Sequence, residues 1–220
     1  MKRIKLVLSH EFAYQWHSLT GFVSALFFTF LLIFISGYAY NYVQTLPDVS
    51  DVAVVFCLVF LISTQFSVTF LGMRSKSFVQ ELKILPFSGA NIFLCRAMAI
   101  FAGIVVITII SVLAFIIFFN LDVSIASALL LILTVLIVSI AQISLGLITQ
   151  FNFVGNHHLS NYALIFTLPM LFPVFTAMLF AVKNILAYKN VNMSEILIII
   201  GLDMLYCVAA LFFFEYANKN

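Results

Sequence analysis

Asp203 is the only acid deep within an apolar run, with Ile198–Gly201 before it and Met204–Ala210 after it. An Asp in the middle of a bilayer costs about 2.5–3.5 kcal/mol on insertion scales. It must face other helices or an aqueous cavity. It is then either a functional carboxyl or a packing acid bonded to a neighbouring helix. Ser139, Gln142, Gly146 and Thr149 recur three and four residues apart. Small and polar side chains on one helical face let a second helix approach and bond across, so packing is the first reading and a substrate path the second. Pro169 and Pro173 stand four residues apart in another apolar run. Each removes a backbone hydrogen bond and promotes a kink, as a moving or cavity-lining helix would need.

The remaining reactive side chains form no constellation. His10, His17, His157 and His158 lack metal-ligand spacing, so they read as solvated residues rather than metal or haem ligands. Cys57, Cys95 and Cys207 are too far apart for a Cys-x-x-Cys motif and read as small hydrophobes. There is no Gly-x-x-x-x-Gly-Lys-Ser/Thr loop, so the chain cannot cradle ATP phosphates itself. No His-Glu-x-x-His or Gly-x-Ser-x-Gly occurs, and no ring of intramembrane carboxylates suggests a pump. An enzyme has nothing here to rest on.

The elements that position these residues are apolar helices. The chain is 65% hydrophobic and 8% charged, with mean hydropathy +1.22; soluble domains carry about 25% charged residues. Six apolar stretches are expected to span a membrane: Thr20–Tyr42, Asp51–Met73, Cys95–Phe119, Ser124–Thr149, Asn161–Ala181 and Glu195–Phe214. Each has roughly 20 residues, enough for a hydrocarbon core of about 30 Å, and lipid requires them to be helical. Eight of the ten Lys and Arg fall in the N-terminal tail, the loop after the second span and the C-terminal tail; only Lys183 and Lys189 fall on the other side. The positive-inside rule then puts both termini in the cytoplasm. Asp48, Asp51, Asp122 and Glu195 mark the opposite side. The basic residues form no dense run or soluble face, so no nucleic-acid partner is expected.

Two stretches outside the spans look organised. Residues 1–19 carry Ile4, Leu8, Phe12, Trp16 and Leu19 at helical spacing. A basic start and an amphipathic Trp suit an interfacial helix more than an extended first span. In the longest inner loop, Ser77 and Gln80 read as a capping box. Phe78, Leu82 and Leu85 then share a face, Gln80, Glu81 and Lys83 lie elsewhere, and Pro86 stops the helix before a Phe87-Ser88-Gly89 turn. The apolar face of this segment, about 77–86, needs a partner: lipid, the protein's own bundle or another subunit. Residues 20–214 form one transmembrane domain, and 215–220 form a short tail.

Two local matches now resemble a known family. Val79-Gln80-Glu81-Leu82-Lys83-Ile84-Leu85-Pro86 resembles the Leu-Glu-x-Leu-x-x-x-Pro segment of the haem exporter protein B (CcmB) family, with the Glu one position later. Leu168-Pro169-Met170-Leu171-Phe172-Pro173 resembles its paired prolines in the fifth span. Length, six spans and inward termini also match. Arg74-Ser75-Lys76-Ser77 departs from the family, which commonly has acidic residues and a Gly there. The resemblance implies an all-α ABC-2-type permease with an N-terminal interfacial helix and a cytoplasmic coupling helix, in a bacterial inner membrane. It implies a separate ABC ATPase subunit that binds ATP, a haem-handling membrane subunit, a small accessory subunit and a homodimer of this chain. Haem would be the substrate or be released on a chaperone. The competing expectations are an ABC-2 permease for another amphipathic substrate and a non-transporting membrane scaffold.

Overall fold

A computed structural model of the chain describes residues 13, 19–43, 48–72, 88–153, 167 and 169–219. Six helices follow one another: α1 (Leu19–Val43), α2 (Val49–Gly72), α3 (Gly89–Phe118), α4 (Ile125–Phe153), α5 (Phe172–Tyr188) and α6 (Met193–Lys219). No strand occurs among the described residues. Five of the helices are long and apolar enough to cross a membrane; α5 is the shorter apolar exception. The chain is thus a multi-pass membrane protein in its described part.

Capping chemistry sets the helix starts and stops. The Asp48 carboxylate accepts from the Ser50 N–H at 3.3 Å, and its carbonyl accepts from Asp51 and Val52. Ser124 Oγ accepts from the Ser127 N–H at 3.2 Å, and Asn192 Oδ1 accepts from the Ser194 N–H at 3.3 Å. Each satisfies an amide that a helix start leaves open. Between α3 and α4 the chain turns through Asn120 at φ 48°. The Leu121 N–H donates to Ile116 O and the Asn120 N–H to Ile117 O, the pairing of a Schellman stop. Asn tolerates this left-handed conformation better than other side chains with a Cβ.

Two expected spans shift. The third begins at Gly89 rather than Cys95, because Ser88 caps it: Ser88 is extended and its Oγ accepts from the Asn91 N–H. Ser88-Gly89 is therefore a helix start and not a turn. The fifth runs on to Tyr188, well past Ala181, and stops at left-handed Lys189. The N-terminal helix and the loop helix at about 77–86 lie outside the described residues, Ala13 apart.

The helices run alternately up and down. The Arg96 guanidinium of α3 donates to Gly72 O at the end of α2. Gly89 abuts the Phe214 backbone of α6, so closely that a Cβ there would fall 2.2 Å from Phe214 O. These contacts gather one end of the bundle. At the other end Tyr40 meets Phe119, and Asn184 Nδ2 donates to Glu195 Oε1 at 2.7 Å. The Glu195 end is filled by an apolar cluster that includes Phe56, Phe60, Phe115, Val135, Val174 and Ile199. The Arg96 end is filled by a second, with Val68, Phe93, Ile104, Leu147 and Phe214.

Candidate functional site

A polar layer separates the two apolar clusters. On α2 it is Ser63, Thr64, Gln65 and Ser67, between Phe60 of one cluster and Val68 of the other. On α3 it is Thr108 and Ser111, between Ile107 and Val112. On α4 Ser139, Gln142 and Ser144 mark the junction, and on α6 Asp203 lies between Ile199 and Ala210. Thr167 joins from the segment before α5. All of these residues are buried.

A few bonds tie the layer across helices. Gln142 Nε2 donates to Leu61 O at 3.0 Å, linking α4 to α2. Gln65 Nε2 donates to Thr167 Oγ1 at 3.2 Å. Ser144 Oγ and Cys207 Sγ lie 3.2 Å apart, linking α4 to α6. The Tyr206 hydroxyl donates to Met170 O at 2.6 Å. Gly146 lets α2 and α4 close on each other, since a Cβ there would stand 2.5 Å from Val68 Cγ1. Several other hydroxyls bond back to their own helix, as Thr64 does to Phe60 O and Ser144 to Ile140 O.

Much of the layer's hydrogen-bonding capacity is unmet. Among the described residues nine buried side-chain N or O atoms have no hydrogen-bond partner. Only Tyr40 Oη and Glu195 Oε2 lie outside the layer; the rest are Ser63 Oγ, Gln65 Oε1, Thr108 Oγ1, Ser111 Oγ, Gln142 Oε1 and both Asp203 carboxyl oxygens. Asp203 is 4% exposed. The Ala141 backbone on α4 approaches it as a hydrogen-bond partner, but too loosely to satisfy either oxygen. A buried polar group left unpaired costs about 1–3 kcal/mol, so these seven atoms do not add to the cohesion of the bundle.

The site residues expected from sequence divide into three groups. Asp203 and Gln142 both belong to the layer. Pro169 and Pro173 do not line it: both rings are exposed on the outside of the bundle. They act on the backbone instead. At the start of α5 Pro173 occupies the first turn and has no N–H to give, while helical hydrogen bonds still pass from the Leu171 N–H to Thr167 O and from the Phe175 N–H to Leu171 O. Phe78, Glu81, Leu82, Leu85 and Pro86 lie outside the described residues, as do His10, His17, His157 and His158. Cys57 and Cys95 are buried and Cys207 is half-buried, none of them in a disulfide. Gln65, Ser63 and Thr167 are layer members that span-by-span reading passes over. Their signal is the Ser63-Thr64-Gln65 run inside an otherwise apolar span.

Among the described residues no group of His, Cys, Asp or Glu could hold a metal ion. Chemically, the layer offers hydrogen-bond acceptors and one carboxyl that can hold a proton. No family model matches the chain, and no curated protein does.

Proposed function

We propose that the chain is the permease subunit of an ABC-type haem export complex serving c-type cytochrome biogenesis. In this reading it sits in a bacterial inner membrane with both termini in the cytoplasm and adopts an ABC-2-type fold. ATP is hydrolysed on a separate ATPase subunit, and the work moves haem or releases a haem-loaded chaperone. The observation that carries the reading is the segment Leu168–Pro173. Its prolines resemble the family's pair, and Met170 O within it accepts from the Tyr206 hydroxyl of α6. A proline-weakened helix start next to a polar layer is a suitable moving part for transport.

Coupling then rests on the loop helix at about 77–86. Phe78, Leu82 and Leu85 would fill a groove on the ATPase, with Glu81 and Lys83 at its rim. Truncating a buried interface anchor commonly costs about 2 kcal/mol or more. The double variant Phe78→Ala, Leu82→Ala should insert normally and lose the ATPase during purification in detergent. Wild-type retention of the ATPase together with normal c-type cytochrome formation overturns the reading.

A further inference from the structure

The least buried helix carries the only acid of the polar layer. In its most apolar stretch α6 is 17% buried, against 61% for α2. It leans on the bundle along one narrow stripe, through Ile199, Asp203, Ala210 and Phe214, while Met204, Leu205 and Val208 face outward. Asp203 is therefore in the middle of the contact that holds α6 in place. α6 packs against α3, α4 and α5. α4 carries no titratable side chain. α3 offers only Cys95 and Arg96, and Arg96 is at the far end on Gly72 O. α5 offers Lys183 and Tyr188, both in its last turns by the Glu195 end. On α6 itself Glu195, Glu215, Tyr216 and Lys219 are two or more turns away along the helix, Cys207 meets Ser144, and Tyr206 donates to Met170 O. No cation faces the carboxyl among these elements.

We propose that Asp203 is a proton-binding site whose occupancy sets the packing of α6 on α4. The exchange is the simplest one: a proton from water bonds to a carboxylate oxygen and returns to water, with no other bond made or broken. With the proton bound, the group is neutral and fits an apolar contact stripe. Its O–H is also a donor in a layer whose unmet oxygens at Gln65, Gln142 and Asp203 can only accept. Without the proton, a charge stands in a buried contact with no cation facing it among the described residues, which costs far more than the neutral acid. α6 must then shift or the contact must take in water. α6 buries the smallest share of its apolar stretch, so few buried side chains would have to move with it.

This inference needs neither an ATPase nor haem, so it stands or falls apart from the transport reading. The Ser144–Cys207 contact, one turn from Asp203, provides a reporter. The full chain in lipid nanodiscs is treated with a hydrophobic carbodiimide across a pH series, and adducts are mapped by mass spectrometry. Such reagents attack carboxylic acids, so an adduct at Asp203 should form at acid pH and fall several-fold as pH rises. In parallel, Ser144→Cys is combined with Cys57→Ala and Cys95→Ala, and oxidative cross-linking to Cys207 is measured. Thiolate chemistry by itself favours cross-linking at high pH. With Asp203 present the yield should instead fall with pH, and with Asp203→Asn added it should rise. Failure to label Asp203 at any pH overturns the proposal. So does a cross-linking profile that is the same with and without Asp203→Asn.

Discussion

The apolar core at the Glu195 end and the polar layer below it are built from the same helices in opposite ways. In the core, rings interlock from the middle of the bundle to its rim. Phe56 and Phe60 centroids lie 4.4 Å apart, Phe56 and Phe115 meet edge-on at 5.0 Å, and Phe115 stacks on Phe119 at 4.1 Å. Tyr40 closes the series at 5.4 Å from Phe119. In the layer, neighbouring helices share single hydrogen bonds and leave acceptors open. Lipid tails are as apolar as Leu, so burying a ring here gains little from leaving water. Shape and dispersion must hold the core together. The comparison teaches that cohesion and polarity have been placed in separate zones, and that the polar zone is not where stability comes from.

The hardest blow to that division falls on Phe115, which touches Phe56, Phe60 and Phe119 at once. Phe→Ala costs about 3–5 kcal/mol in soluble cores, part of it transfer from water. With that part largely absent in lipid, the cavity and lost contacts remain, and the expected loss is about 2–3 kcal/mol. Thermal unfolding of Phe115→Ala in detergent measures it. A loss no larger than that of an outward-facing control such as Phe212→Ala would mean the rings are not the cohesive element.

Next in size is Gly146→Ala, where the two zones meet. The added Cβ would stand 2.5 Å from Val68 Cγ1. Val cannot easily turn aside, because its χ1 is stiff in a helix. α2 and α4 must separate, at about 1–3 kcal/mol for overpacking. That separation should also lengthen the Gln142–Leu61 bond, which now spans 3.0 Å. The expected outcome is a lower unfolding temperature and easier labelling of a cysteine placed at Gln65. An unchanged melting point would show that the close approach at Gly146 is not required.

Part of this division can be read from the sequence. Hydropathy finds the helices, since uninterrupted apolar runs in lipid have no other stable form. It misplaces the start of α3, because Ser88 and Gly89 look like a turn until Ser88 is seen accepting from Asn91. It cuts α5 short, because Lys183 and Asn184 look like a boundary although Asn184 is held by Glu195. Asp203 and Gln142 stand out one helix at a time. The layer as a whole does not, because it exists only once five segments are set in register. Thr108 and Ser111 look like ordinary helix hydroxyls until their neighbours Ile107 and Val112 fall in different clusters. Nothing in one strip of sequence encodes that alignment.

The smallest effect is the most discriminating. Gln142 is fully buried and its amide donates to Leu61 O, which would ordinarily mark it as a stabilising tie. Interhelical hydrogen bonds in membranes average only about 0.6 kcal/mol. Against that, Gln142 Oε1 has no partner, and its burial is a standing penalty. Replacing Gln142 with Leu removes the bond and the penalty together at similar volume. The two changes oppose each other, so Gln142→Leu should shift stability by less than about 1 kcal/mol in either direction. Asp203 labelling is the second readout, because the adjacent Ala141 backbone reaches the carboxyl. If the layer serves proton exchange, making it more apolar should favour the protonated carboxyl, so that carbodiimide labelling persists to higher pH while the melting point stays put. A large loss of stability with unaltered labelling would invert the comparison, making the layer a structural seam and the aromatic core merely its filling.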